Sequence, residues 1–112
     1  GGGDPQDLFI APIVAVQNLM KKTCMKISDY DLIEANEAFA AQALADGDAL
    51  GWDWDRVNVN GGAIALGHPI GSSGARILTT LLYALQDRGL RTGLATLCLG
   101  GGNAVALSVE RV

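Results

Sequence analysis

Three breaks punctuate this 112-residue chain at intervals of about thirty residues, NEAFA at 36–40, GGAIALGHPIGSSGAR at 61–76 and CLGGGN at 98–103, and each carries a chemically distinctive side chain. An interval of that length holds one strand, one helix and their loops. Repeated along a chain, it predicts a layered α/β fold whose successive loops gather at one edge of a sheet, where α/β sites form. Asn36, His68 and Cys98 would then be neighbours.

The chain has the size of one domain, so residues 1–112 are read as a single unit. Apolar residues make up 49% and charged residues 18%, a globular balance, and the fifteen glycines cluster, so they read as backbone positions rather than low complexity. The net charge is −4, and the only basic cluster, Lys21, Lys22 and Lys26, falls where a helix should end. Nucleic acid is therefore not an expected partner. Cys24 and Cys98 are far apart and lack the close Cys/His spacing of a zinc site, which predicts reduced thiols, a cytoplasmic setting and no metal. No apolar run reaches the roughly 18 residues of a membrane span.

Pro12 suits a first helical turn, and Ile13, Val16, Leu19 and Met20 recur at helical spacing, predicting a helix over 12–24. DLIEAN at 31–36 reads as a strand, and the Ala-rich NEAFAAQALA that follows as a helix capped by Asn36 or Glu37. Gly47, Gly51 and the acids Asp46, Asp48, Asp53 and Asp55 predict a solvated connection, with Trp52 and Trp54 as surface or interface residues. Val57 to Asn60 reads as a second strand ended by the turn dipeptide Asn60-Gly61. Ser72 or Ser73 would cap a helix whose apolar face is Ile77, Leu78, Leu81, Leu82 and Leu85, closed by Gly89. Runs 93–99 and 104–112 around Gly100-Gly101-Gly102-Asn103 predict a hairpin.

His68 is the chain's only histidine, and a lone histidine is more often a satisfied turn residue than a catalyst. Its context favours the second reading: Gly67 permits close backbone approach, Pro69 biases His68 toward an extended conformation, and a helix starts a few residues on. Cys98 is either a buried strand residue or a reactive thiol beside glycine amides that converge on a developing oxyanion. Taken alone, these residues suggest a Cys98–His68 nucleophile and base pair. Cys24 reads as structural. GHPIGSSG lacks G-x-G-x-x-G and has no P-loop lysine after Gly67, so a nucleotide-binding domain is a distant reading, to be tested by titration with NAD or ATP.

Together, NEAFAAQALA, NVNGGAIALGHPIGSSGARIL and LATLCLGGG closely resemble the C-terminal catalytic domain of thiolases, in order and spacing, from about Asp4 to Val112. The resemblance implies a βαβαβαββ-type half with a mixed sheet, and GGGDPQD at residues 1–7 is too short and glycine-rich to supply that half's first strand. It implies coenzyme A thioesters as substrates, no metal or redox cofactor, an N-terminal thiolase domain as partner and a homo-oligomeric parent enzyme. The resemblance also changes one assignment. Thiolases acylate a cysteine of the N-terminal half, so Cys98 of C-x-G-G-G becomes the acid/base. His68 would activate the other cysteine and form an oxyanion hole with a water held by Asn36. Gly100 would contribute an amide to a second hole, and Ala38 and Phe39 would line the pantetheine path. Asn103-Ala104-Val105 departs from the usual ending and resembles related ketoacyl synthases, whereas His68-Pro69 and Cys98 favour thiolase. The alternative is a noncatalytic fragment that supplies packing or oligomer contacts.

Overall fold

A computed structural model describes residues 1–112, the side chain of Leu8 excepted. Helix α1 (Ala11–Thr23) begins with Pro12 in its first turn, where the missing N–H costs nothing, and ends at Cys24, an exposed left-handed cap with φ 57°. Strand β1 (Leu32–Ala35) leads through a loop to α2 (Ala40–Leu50). A single turn, α3 (Ala63–Leu66), precedes α4 (Ser73–Asp87), and β2 (Thr92–Leu99) and β3 (Asn103–Glu110) close the chain. No described helix is long and apolar enough to cross a membrane.

The sheet has the order β1-β2-β3. β1 and β2 run parallel, from Leu32 opposite Gly93 to Ala35 opposite Thr96. Such a pair needs a long crossover, which here contains α2, α3 and α4. β2 and β3 form the expected hairpin, in register from Thr92 opposite Glu110 to Leu99 opposite Asn103. Gly101 and Gly102 turn it with φ of 76° and 78°, values that favour glycine.

The two larger cores lie on opposite faces of the sheet. Val16, Tyr30, Ile33, Ala35 and Leu94 pack on the α1 side, while Leu32 and Ala95 meet Ile77, Leu81, Ala84 and Leu85 of α4. β1 is therefore buried throughout, as a parallel strand covered on both faces must be. The α4 stripe uses Ala84 in place of Leu82, which is 47% exposed. Gly89 closes this helix as its sequence predicts, with φ 65°.

Several local expectations are corrected. α2 does not stop before the acidic stretch but runs to Leu50 and buries Asp46 and Gly47. Trp52 is a core residue, with its ring edge-on to that of Trp54. The reason lies at Gly47, whose bare backbone faces Trp52 Nε1 and the Trp54 ring where a Cβ would stand. Val57 to Asn60 is not a strand. Val57 makes one parallel bridge to Ile33, then Asn58 turns to φ 49°, its N–H donating to the Ile33 carbonyl at 2.9 Å while its side chain takes over the pairing with Ala35. At the amino end residues 1–7 form no strand, as expected, and Gly2 makes a single isolated bridge to Asn103.

Gly47 gives a direct test of this packing. Alanine in a helix interior is worth about 1 kcal/mol over glycine, but overpacking costs about 1–3 kcal/mol. Gly47→Ala is expected to lower the urea midpoint followed by tryptophan fluorescence, and an unchanged or raised midpoint would contradict the Trp52–Gly47–Trp54 contact.

Candidate active site

Asn36 extends the parallel pairing by one bond, its N–H donating to the Thr96 carbonyl at 2.9 Å. Asn58 holds the preceding residue like a strand partner: its Oδ1 accepts from the Ala35 N–H at 2.9 Å and its Nδ2 donates to the Ala35 carbonyl at 2.8 Å. The same Nδ2 donates to Glu37 Oε1 at 3.2 Å, and the Ile64 N–H donates to Glu37 Oε2 at 2.9 Å. Glu37 lies against Gly62, where any side chain would collide with its carboxylate. These contacts replace the helix-capping role read from the sequence, since α2 starts only at Ala40 with Phe39 at its N-cap. They fix a loop on which Asn36 is buried, at 1% exposure.

His68 follows Gly67, whose φ of 100° reverses the chain after α3. Its Nδ1 lies 2.6 Å from Ser73 Oγ. Ser73 is fully buried and its hydroxyl also reaches the Pro69 carbonyl at 3.1 Å; with the hydroxyl donating there, its oxygen is left to accept from Nδ1–H. In that tautomer Nε2 carries the lone pair, and Asn36 Nδ2 stands 3.5 Å from it as a donor. Neither serine caps α4 by the expected route. Ser72 occupies the N-cap without a side-chain cap bond, and both hydroxyls turn back to Pro69.

Cys98 lies near the end of β2. With His68, Ile70, Leu97, Leu99 and Gly100 it lines a cavity of about 260 Å³. Burial pushes its thiol above the ordinary range, and the negative charge of Asp46 adds to the rise. Asp46 is itself on the buried face of α2, and burial pushes its carboxyl up to about 6 against the stabilising hydrogen bond from Gln42 Nε2 at 2.5 Å. Cys98 thus stands as a protonated thiol at neutral pH.

Asn36, His68, Cys98 and Gly100 are brought to one place, as their spacing predicts. Phe39 lines a separate apolar cavity of about 390 Å³ with Phe9 and Ile10, its ring edge-on to Phe9 at 4.8 Å, and Ala38, beside it in the chain, is half-buried. Sequence reasoning missed Ser73 as the partner of His68 and Asn58 as a clamp. The signal for the second was present, because an asparagine in the middle of an apparent strand has to satisfy a side-chain amide that the core cannot. The assembled groups offer a proton acceptor at Nε2, a proton donor at the thiol, and N–H donors at Asn36 and the glycine turn.

A profile of the family described as "Thiolase, C-terminal domain" matches residues 1–111. The chain is 58% identical over 110 residues to an acetyl-CoA acetyltransferase of Chromobacterium violaceum, covering 98% of this chain and 28% of that protein. It is 57% identical over 112 residues to an acetyl-CoA acetyltransferase of Escherichia coli, covering 100% of this chain and again 28% of the relative. The crystal structure of the Bacillus anthracis acetyl-CoA acetyltransferase superposes with a TM-score of 0.97 at 47% identity, over 100% of this chain and 28% of that one. The chain thus spans less than a third of the length of these relatives.

The tautomer of His68 is directly measurable, because the chain has no other histidine. Long-range ¹H–¹⁵N correlation at high pH is expected to give the single pattern of an Nδ1-protonated ring, and Ser73→Ala is expected to give a mixture of tautomers with a loss of about 1 kcal/mol of stability. A wild-type ring protonated at Nε2 would reverse the direction of the Ser73 contact, with the hydroxyl donating to Nδ1, and would contradict the assignment of Nε2 as the proton acceptor.

Proposed function

This chain belongs to the thiolase family, as a C-terminal domain, and on that premise we propose that it supplies the acid/base half of a site that joins two acyl-CoA molecules by Claisen condensation or cleaves a 3-ketoacyl-CoA with coenzyme A. The observation that carries this reading is the convergence of His68, Cys98 and Gly100 on one cavity with Asn36 against the His68 ring.

In the cleavage direction, the remaining part of the enzyme contributes a cysteine that attacks the 3-keto carbon. His68 Nε2 takes the proton of that thiol, and the raised Cys98 thiol is in the right state for the next demand. As the C2–C3 bond breaks, its electron pair forms the enolate of acetyl-CoA, and Cys98 donates the proton that converts it to the product. The Cys98 thiolate then takes the thiol proton of incoming coenzyme A, whose sulfur attacks the acyl-enzyme. The attack forms the shortened acyl-CoA and releases the first cysteine as a thiolate, which takes back its proton from His68 Nε2. Condensation runs the same steps in reverse, with Cys98 removing the α-proton.

Charge that develops on the thioester and keto oxygens needs donors already in place. Asn36, through a water and together with His68, serves one oxygen, and the Gly100 amide serves the other. Phe39, 57% exposed, and Ala38 would flank the pantetheine arm. No step calls on a metal or redox cofactor, and coenzyme A enters only as substrate.

Acylation and α-proton chemistry separate the roles. In the full-length enzyme carrying this domain, Cys98→Ala is expected to cut turnover by about 10²–10⁴-fold while mass spectrometry still detects acetylation of the other cysteine after incubation with acetyl-CoA. His68→Ala is expected to impair acetylation as well. An acetyl group found on Cys98 of the wild-type enzyme would overturn the acid/base assignment.

A further inference from the structure

Glu34 is 1% exposed in the middle of β1, on the face that Leu32 packs against α4. An acid in that position is costly, yet the nearest cation, Arg76 Nη1 on the first turns of α4, stands 3.9 Å from Oε2. Both Glu34 oxygens and all three guanidinium nitrogens are buried without a hydrogen-bond partner. A charge pair in this state is a poor source of stability, since apolar residues of the same volume commonly serve a core as well or better. Its location gives it another purpose.

Asn36 lies two residues beyond Glu34 on the same strand face, and Ser73 lies three residues before Arg76 on the same helix face. Asn36 meets the His68 ring at 3.5 Å, and that ring meets Ser73 at 2.6 Å. The contacts therefore form a closed ring: strand, Asn36, His68, Ser73, helix, Arg76, Glu34 and back to the strand. Four of its links are covalent segments or hydrogen bonds around the imidazole. The Glu34–Arg76 contact is the remaining link, and it joins the first turns of α4 to β1.

We propose that Glu34 and Arg76 are a positioning pair that closes this ring and holds His68 between Ser73 and Asn36, so that Nε2 stays aimed into the cavity. The inference rests on the functional reading above only for its consequence in turnover. The carboxyl of Glu34 supports it: burial pushes it up to about 7, Arg76 opposes the rise, and Glu37, the other charged group bearing on it, adds to it. Burial thus outweighs the attraction of Arg76, the cation that stands against Glu34.

The test uses the whole chain and its sole histidine. Glu34→Gln alone strands a buried guanidinium, so the informative variant is Glu34→Leu combined with Arg76→Met, which removes both charges and keeps volume. This double variant is expected to melt at or above the wild-type temperature, yet its His68 is expected to lose the single Nδ1–H pattern and show both tautomers. Arg76→Lys, which keeps the charge, is expected to retain the wild-type pattern. In the full-length enzyme the double variant is expected to lose about tenfold or more in kcat with KM unchanged, as a misaligned group does. A folded double variant with the wild-type ring pattern would overturn the positioning role whatever its turnover. An altered ring pattern with undiminished turnover would sustain the positioning role and count instead against His68 as a catalyst.

Discussion

The parallel pairing of β1 with β2 is the constraint on which the rest depends. Parallel strands end at the same sheet edge, so the register that sets Ala35 opposite Thr96 carries Asn36 and Cys98 to one place. The crossover demanded by a parallel pair then brings a helix back across the same face with its N-terminus at that edge. His68 sits immediately before that helix. One register thus gathers three side chains that lie about thirty residues apart in the chain, without any of them contacting another in sequence.

Polar groups at this edge are held by other polar groups rather than by bulk packing. Asn58 substitutes its amide for a strand partner, Glu37 spans to the α3 turn, and Ser73 fixes the imidazole through a hydroxyl already committed to Pro69. Asp46, on the buried face of α2, adds its charge to the burial that keeps Cys98 a thiol. Each contact is short-ranged and directional, so the site inherits its geometry from the sheet and its protonation from buried neighbours.

The sequence made the repeating order legible because glycine and polar breaks recur at a fixed interval, and α1, β1, α4 and the hairpin follow from periodicity alone. Asn36, His68, Cys98 and Gly100 were legible as a set for the same reason. What escaped were contacts in which a residue acts against its type. Gly47 and Asp46 read as loop residues, and only the tryptophan rings packed on Gly47 show why α2 continues through them. Asn58 reads as a strand or turn residue until its side chain is seen bonded to both backbone groups of Ala35. Glu34 reads as an ordinary strand acid, and its burial depends on a helix about forty residues away.

The central claim is that residues 1–112 hold a thiol that moves protons and no thiol that carries the acyl group. It is tested most directly by assaying thiolysis of acetoacetyl-CoA with this chain alone and again with the remaining part of the enzyme supplied as a second polypeptide. The account predicts no turnover from the chain alone and recovery on addition of the second part. Saturable thiolysis by a clean monomer of this chain, abolished by Cys98→Ser, would contradict it and make Cys98 the nucleophile.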